Sequence, residues 1–325
     1  MIRVEGVRPG KVLLVGEPMT LFTARQEGPL DEVPSFDASV AGAELNVAVG
    51  LRRLGAQPVY MTKVGDDPFG RRILSFMELN GLDTSLVGMD GTRNTGFMLK
   101  SKVSEGDPKT SYFRKNSAAS TLDGEAVDHL DMDGVTVLHL TGILPLLSPS
   151  CLAVSVELIR VARERGVFVS FDPNLRPALW DDERQMCDTL RWIAAHSDLV
   201  LPGIGEGGRL FGTTTVRDTA RAFLDNGAKY VVVKNGARGA YATDGTRERD
   251  IPGYVVDHTV DTVGAGDGFA AGVLSVLLEG GDLVSAAERG NALGAIQTQH
   301  VSDNEGLPTP DELDAFIASH RRTAL

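Results

Sequence analysis

Apolar and polar positions alternate along this chain in two different rhythms, and the change between them divides it into elements. Lys11-Val12-Leu13-Leu14-Val15-Gly16 is a short apolar run ending in glycine, the mark of a buried strand. From residue 17 to 40 short strand-like pieces follow one another around a Gly28-Pro29 turn, with no helical period. Leu45, Val49 and Leu54 then recur at helical spacing, and Gly55 supplies a C-terminal stop. Asp67-Pro68 reads as a helix cap, and 95–114 is extended again, predicting a hairpin with a polar turn around Gly106-Asp107-Pro108.

The middle of the chain alternates regularly. Strands are expected at 135–140, 167–171, 199–201 and 230–234, with helices at 150–166, 181–196 and 216–226 between them. Further helices are expected after Gly264, at 283–297 and at 310–322. Apolar strands separated by helices imply βαβ units, and therefore an α/β fold with a mainly parallel sheet covered on both faces. Ligands of such sheets bind beyond the carboxyl ends of the strands. The extended segments at 17–40 and 93–115 would form a small separate β-sheet, a lid over that end.

Composition narrows the partners. The 325 residues include 42% hydrophobic and 23% charged side chains, with a formal net charge of −12 and no basic cluster. That balance argues against a nucleic-acid or anionic-membrane partner. No stretch reaches the roughly 18 apolar residues of a membrane span, and the first apolar run is too short for a signal sequence. Cys151 and Cys187 lack metal or redox spacing, so a reducing cytoplasm is the simplest setting.

Candidate chemistry centres on Asp261-Thr262-Val263-Gly264-Ala265-Gly266-Asp267-Gly268-Phe269, a glycine turn that opens an apolar helix. Free N–H groups at Gly264, Ala265 and Gly266 can donate to an anion at the positive end of the helix dipole. Asp267, in the first turn, is placed either to cap the helix or to take a proton from a group held beside that anion. A competing signal is Gly203, Gly205 and Gly208 after the strand 199–201, which fits a dinucleotide fingerprint. The next strand, however, ends in Lys234-Asn235-Gly236, where the fingerprint wants an acid for the ribose. No Walker-type P-loop occurs.

The segment 261–269 closely resembles the C-terminal signature of the ribokinase-like (PfkB) carbohydrate kinases, and Gly42-Ala43-Glu44-Leu45-Asn46 and the helix to Gly55 resemble the N-terminal one. The resemblance implies a single ribokinase-like domain over 1–325, three-layered α/β/α, with the lid inserted. It implies Asp267 as general base, with Gly264, Ala265, Gly266 and Asp267 forming the anion hole. It implies ATP and Mg²⁺, and leaves room for a monovalent cation. Glu206 resembles the acid that organises phosphate and Mg²⁺ in the family, although Gly203 stands where an Asn is usual. Lys234, Gly236 and Gly239 resemble the loop along the ATP phosphates, with Asn174 and Asn291 also on the ATP side.

Within the family the chain is most similar to 2-keto-3-deoxygluconate kinases. That likeness places Arg114 and Arg176 on the substrate's carboxylate and Gly42, Asn46, Tyr112 and Asp303 around the sugar chain, with Met98 where a lid Tyr is usual. Paired guanidiniums suit a sugar acid, and a neutral sugar has no need of them. A fructokinase-like neutral-sugar kinase remains the alternative, and a nucleotide-binding dehydrogenase the remote one. Apolar Leu21, Phe22, Phe97 and Leu99 on the lid strands lead to the expectation of a homodimer or higher homo-oligomer.

Overall fold

A computed structural model describes residues 1–103 and 108–324. Gly106 and Asp107 of the expected hairpin turn lie outside them. In chain order the elements begin β1 (Lys11–Val15), β2 (Met19–Glu27), β3 (Phe36–Ala41), α1 (Ala43–Arg53), β4 (Gln57–Gly65), α2 (Pro68–Leu79), β5 (Val87–Asp90), β6 (Phe97–Lys102) and β7 (Thr110–Phe113). They continue α3 (Gly124–Asp128), β8 (Val135–Thr141), α4 (Pro149–Glu164), β9 (Phe168–Asp172), α5 (Glu183–Ala195), β10 (Leu199–Val200), α6 (Ile204–Phe211), α7 (Val216–Asp225) and β11 (Tyr230–Lys234). The chain closes with β12 (Gly239–Thr243), β13 (Glu248–Pro252), α8 (Ala265–Leu278), α9 (Leu283–Gln297) and α10 (Pro310–Ser319).

The large sheet runs β13-β12-β11-β10-β9-β8-β1-β4-β5. Its strands from β5 to β11 are parallel, as the βαβ rhythm requires. The hairpin β12–β13, which the sequence pattern did not reveal, adds an antiparallel edge. Successive side chains of a strand point to opposite faces, and the core divides accordingly. Val12, Leu14 and Val232 join α1, α8 and α9 on one face, while Leu13, Val15, Val231 and Val233 join α4, α5 and α7 on the other. All seven of these strand residues are fully buried, so the expected three-layer arrangement of an α/β fold is present.

Local chemistry sets the helix ends. Asp67 accepts from the N–H groups of Phe69 and Gly70 with Pro68 in the first turn of α2, and its second oxygen accepts from Thr95 N at 2.7 Å. Asp182 caps α5 in the same way, which starts that helix two residues later than the pattern suggested. The last helix stops at Ser319, short of 322, and Arg322 instead bridges to Tyr254.

The second sheet, ordered β3-β2-β6-β7, draws its strands from the two segments expected to form a lid. Its central pair, β2 and β6, is parallel, and both outer pairs are antiparallel. Among the described residues no helix is long and apolar enough to cross a membrane, and both cysteines are free and buried.

Candidate active site

A cavity of about 310 Å³ lies where the carboxyl ends of β9 and β11, the start of α1, the turn before α8 and one face of the small sheet meet. This is the position that the topology of a parallel sheet favours. The turn is held open by Gly264, whose φ of 81° is a left-handed conformation and whose absent side chain makes room for the carbonyl of Asp303. Gly264 and Gly266 both line the cavity at the N-terminus of α8, a 14-residue helix whose dipole is directed at it.

Asp267 points into the same space and is only 8% exposed. Asn46 Nδ2 donates to its Oδ2 at 2.8 Å, and Asn174 Nδ2 to its Oδ1 at 3.4 Å. Burial pushes the Asp267 carboxyl up to about 7, with the Asn46 hydrogen bond and the nearby Arg176 charge opposing and Asp172 and Asp303 adding to the rise. Asn46 is itself oriented: its Oδ1 accepts from Asn304 Nδ2 at 2.9 Å, and Asn304 also donates to the carbonyl of Val40. A carboxylate that gives up its proton near neutrality, held by amides from two distant segments, is equipped to receive a proton from a hydroxyl beside it.

The far wall carries positive charge. Lys234 Nζ pairs with Asp172 Oδ2 at 2.5 Å, and a Cβ at Gly266 would come within 3.6 Å of that ammonium. Burial alone would lower the lysine's proton affinity, and the Asp172 and Glu206 carboxylates outweigh it, so the ammonium stays charged. Glu206 lines the cavity, but its oxygens are committed: Oε2 accepts from Gly203 N at 2.6 Å and Oε1 from Leu175 N at 2.8 Å. It therefore ties the start of α6 to the loop after β9, and burial raises its pKa. Gly203 is the N-cap of α6, which accounts for the glycine fingerprint without a dinucleotide.

Arg114 and Arg176 both line the cavity, but they are not equivalent. Arg114 Nε is ion-paired with Glu17 Oε2 at 2.6 Å, both side chains being buried, and its Nη2 is left without a partner. Arg176 donates only to the carbonyls of Asn174 and Leu175 and has no ion pair among the described residues. The two expected guanidiniums thus share the cavity but differ: Arg114 is ion-paired, and Arg176 has no acid within ion-pair distance among the described residues. Gly42, Met98, Tyr112 and Asp303 line the cavity as well, and a side chain at Gly42 would bring its Cβ to 2.9 Å from the carbonyl of Glu17.

Four expected site residues do not line the cavity. Ala265 is the first residue of α8, Gly236 lies in the β11–β12 turn and Gly239 opens β12. Asn291 on α9 donates to the carbonyls of Ile251 and Pro252, bracing the antiparallel hairpin. Sequence reasoning in turn missed Glu17, Lys100, Asp172 and Asn304. A signal existed for two of them: Glu17 lies two residues beyond the end of β1, and Lys100 shares the inward period of Met98.

Comparison with known proteins bears on the family and the fold. A family model described as pfkB family carbohydrate kinase matches residues 10–310. The chain is 45% identical over 307 residues to a 2-dehydro-3-deoxygluconokinase of Bacillus subtilis (strain 168), covering 94% of this chain and 95% of that protein. The fold superimposes on a PfkB protein from Polaromonas sp. JS666 with a TM-score of 0.85 and 41% identity, over 94% of this chain and 99% of the other. It also superimposes on an aminoimidazole riboside kinase from Salmonella enterica, solved with aminoimidazole riboside and an ATP analogue (TM-score 0.83, 25% identity, 94% and 99% coverage).

Proposed function

The chain belongs to the pfkB family of carbohydrate kinases, and we propose that the sugar it phosphorylates is an acid, 2-keto-3-deoxy-D-gluconate, at the expense of ATP. The observation that carries this reading is Arg176, a guanidinium without an acidic partner, in the same cavity as Asp267. A carboxylate substrate supplies the missing countercharge through paired hydrogen bonds. The Bacillus relative named for the same acid supports it. Tyr112, Asn46 and Asp303 surround the remaining chain of the sugar, with Met98 contributing an apolar contact.

In the proposed reaction Asp267 takes the proton of the attacking hydroxyl as its oxygen bonds to the γ-phosphorus. The bond from that phosphorus to the β–γ bridging oxygen breaks, ADP departs and the 6-phosphate of the acid is formed. The N–H groups of Gly264, Gly266 and Asp267 and the Lys234 ammonium meet the transferring phosphoryl charge, while the Ala265 N–H is taken up by the Thr262 carbonyl within the turn. Mg²⁺, when bound with ATP, neutralises phosphate charge. Such an ion keeps several of its waters and is carried mainly by phosphate oxygens, with one or two carboxylates completing its shell. Asp172 and Glu206 would meet that water shell only through the lone pairs left free by Lys234, Gly203 N and Leu175 N.

The test is substrate-dependent loss. Arg176→Ala should raise KM for the keto-deoxy acid by roughly 10–100-fold, the weight of hydrogen bonds to a charged group. KM for any neutral sugar turned over should stay unchanged. Equal loss on acid and neutral sugars would overturn the assignment of Arg176 to the carboxylate.

A further inference from the structure

Lys100 is the lysine that the kinase reading does not use, and it is among the most deeply buried charges in the molecule. Its side chain is 3% exposed, on β6 of the small sheet, two residues beyond Met98. Its ammonium is ion-paired with Asp261 and with Asp303, the latter at 3.0 Å, and reaches the carbonyl of Val301 at 3.5 Å. Burial alone would lower its proton affinity, and the two carboxylates more than offset that.

Both residues act on the anion-binding turn, Asp261 through its carboxylate and Asp303 through its backbone. Asp261 Oδ1 accepts from Val263 N at 3.0 Å, fixing the residue before Gly264. Asp303 places its own carbonyl in the space that a Gly264 side chain would fill. The turn is thus clasped from both sides by two acids, and a single ammonium from the small sheet holds the acids together. Without that charge two buried carboxylates would face each other beside the site where phosphoryl charge gathers, and each would repel it.

We propose that Lys100 is the built-in monovalent cation of this site, a positioning residue that neutralises Asp261 and Asp303 and fixes the turn at Gly264 from β6 of the small sheet. A chain that carries its own ammonium here has no need of a dissolved monovalent ion at these carboxylates. The inference rests on the kinase reading. Turnover by the unmodified enzyme tests that reading by itself, with whichever sugar is phosphorylated, so the two can fail separately.

The experiment compares wild type, Lys100→Ala and Lys100→Met in tetramethylammonium chloride, KCl and NH4Cl at equal ionic strength, reading both kcat for ADP release and Tm. Wild type should show the same kcat and Tm in all three salts. Lys100→Ala should lose roughly 10²-fold in kcat, the scale of a misplaced catalytic group, with a smaller change in KM. Ammonium or potassium should recover much of that kcat and raise Tm, whereas tetramethylammonium, too large to enter, should do neither. Lys100→Met, similar in length but uncharged, should fold and show the same kcat loss. Normal kcat in the Met variant, a loss that no small cation relieves, or a wild type active only with potassium or ammonium would each overturn the proposal. The wild-type salt comparison stands even where a variant fails to fold.

Discussion

Asp267 sits at a folded-state pKa of about 7 against 3.8 for an ordinary aspartate, chiefly because it is buried, and that displacement has kinetic and thermodynamic consequences. If it receives the substrate proton it must be ionised in the free enzyme, so kcat/KM should be half-maximal near pH 7 and fall about tenfold per unit below it. Asp267→Asn should lower turnover by about 10²–10⁴ and erase this limb. The folded state binds the proton more tightly than the unfolded chain, so this group's contribution to stability is complete below about pH 4 and is lost as pH rises through 7. The full displacement corresponds to at most about 4 kcal/mol. The Asn variant cannot ionise, so it should be more stable than wild type at pH 8 and show no such gain at pH 4. An ADP-release assay across pH 5–9 and denaturation at pH 4 and 8 measure both. A limb near pH 4, or an Asn variant with near-normal turnover, would refute the reasoning.

Glu17→Ala leaves the buried Arg114 guanidinium without its partner and should cost about 3–5 kcal/mol, read by chemical denaturation. Gly264→Ala must place a side chain at φ 81° and against the Asp303 carbonyl, so a stability loss of about 1–3 kcal/mol should accompany a larger fall in kcat. Unchanged kcat in that variant would remove the turn from the mechanism.

The parts of this site legible in the sequence are those whose chemistry is local. The turn 264–267 announces itself because glycines, a helix start and an acid fall within four residues, and Gly42 and Asn46 share one short segment. The glycine fingerprint at 203–208 could be set aside for the same reason: its second requirement lies on the next strand, which ends in Lys234. What could not be read are partnerships closed by folding. Lys100 meets Asp303 across 203 residues, Glu17 meets Arg114 across 97, and Asn304 orients Asn46 across 258. No periodicity marks such pairs, so the neutralisation of Arg114 by Glu17 is invisible in the sequence, which shows Arg114 and Arg176 as equivalent. The β12–β13 hairpin escaped because it continues a loop whose glycines already looked functional. Asn291, expected beside ATP, also holds that hairpin to α9, a contact that no sequence pattern shows.

The most direct test of the central claim is kcat/KM with Mg²⁺-ATP for 2-keto-3-deoxygluconate, its galacto epimer, gluconate, fructose and ribose, followed by ADP release. The account predicts turnover confined to the keto-deoxy acids, because Arg176 needs a carboxylate. Efficient phosphorylation of fructose or ribose with none of the acids would contradict it, leaving Asp267 its role and assigning Arg176 to structure alone.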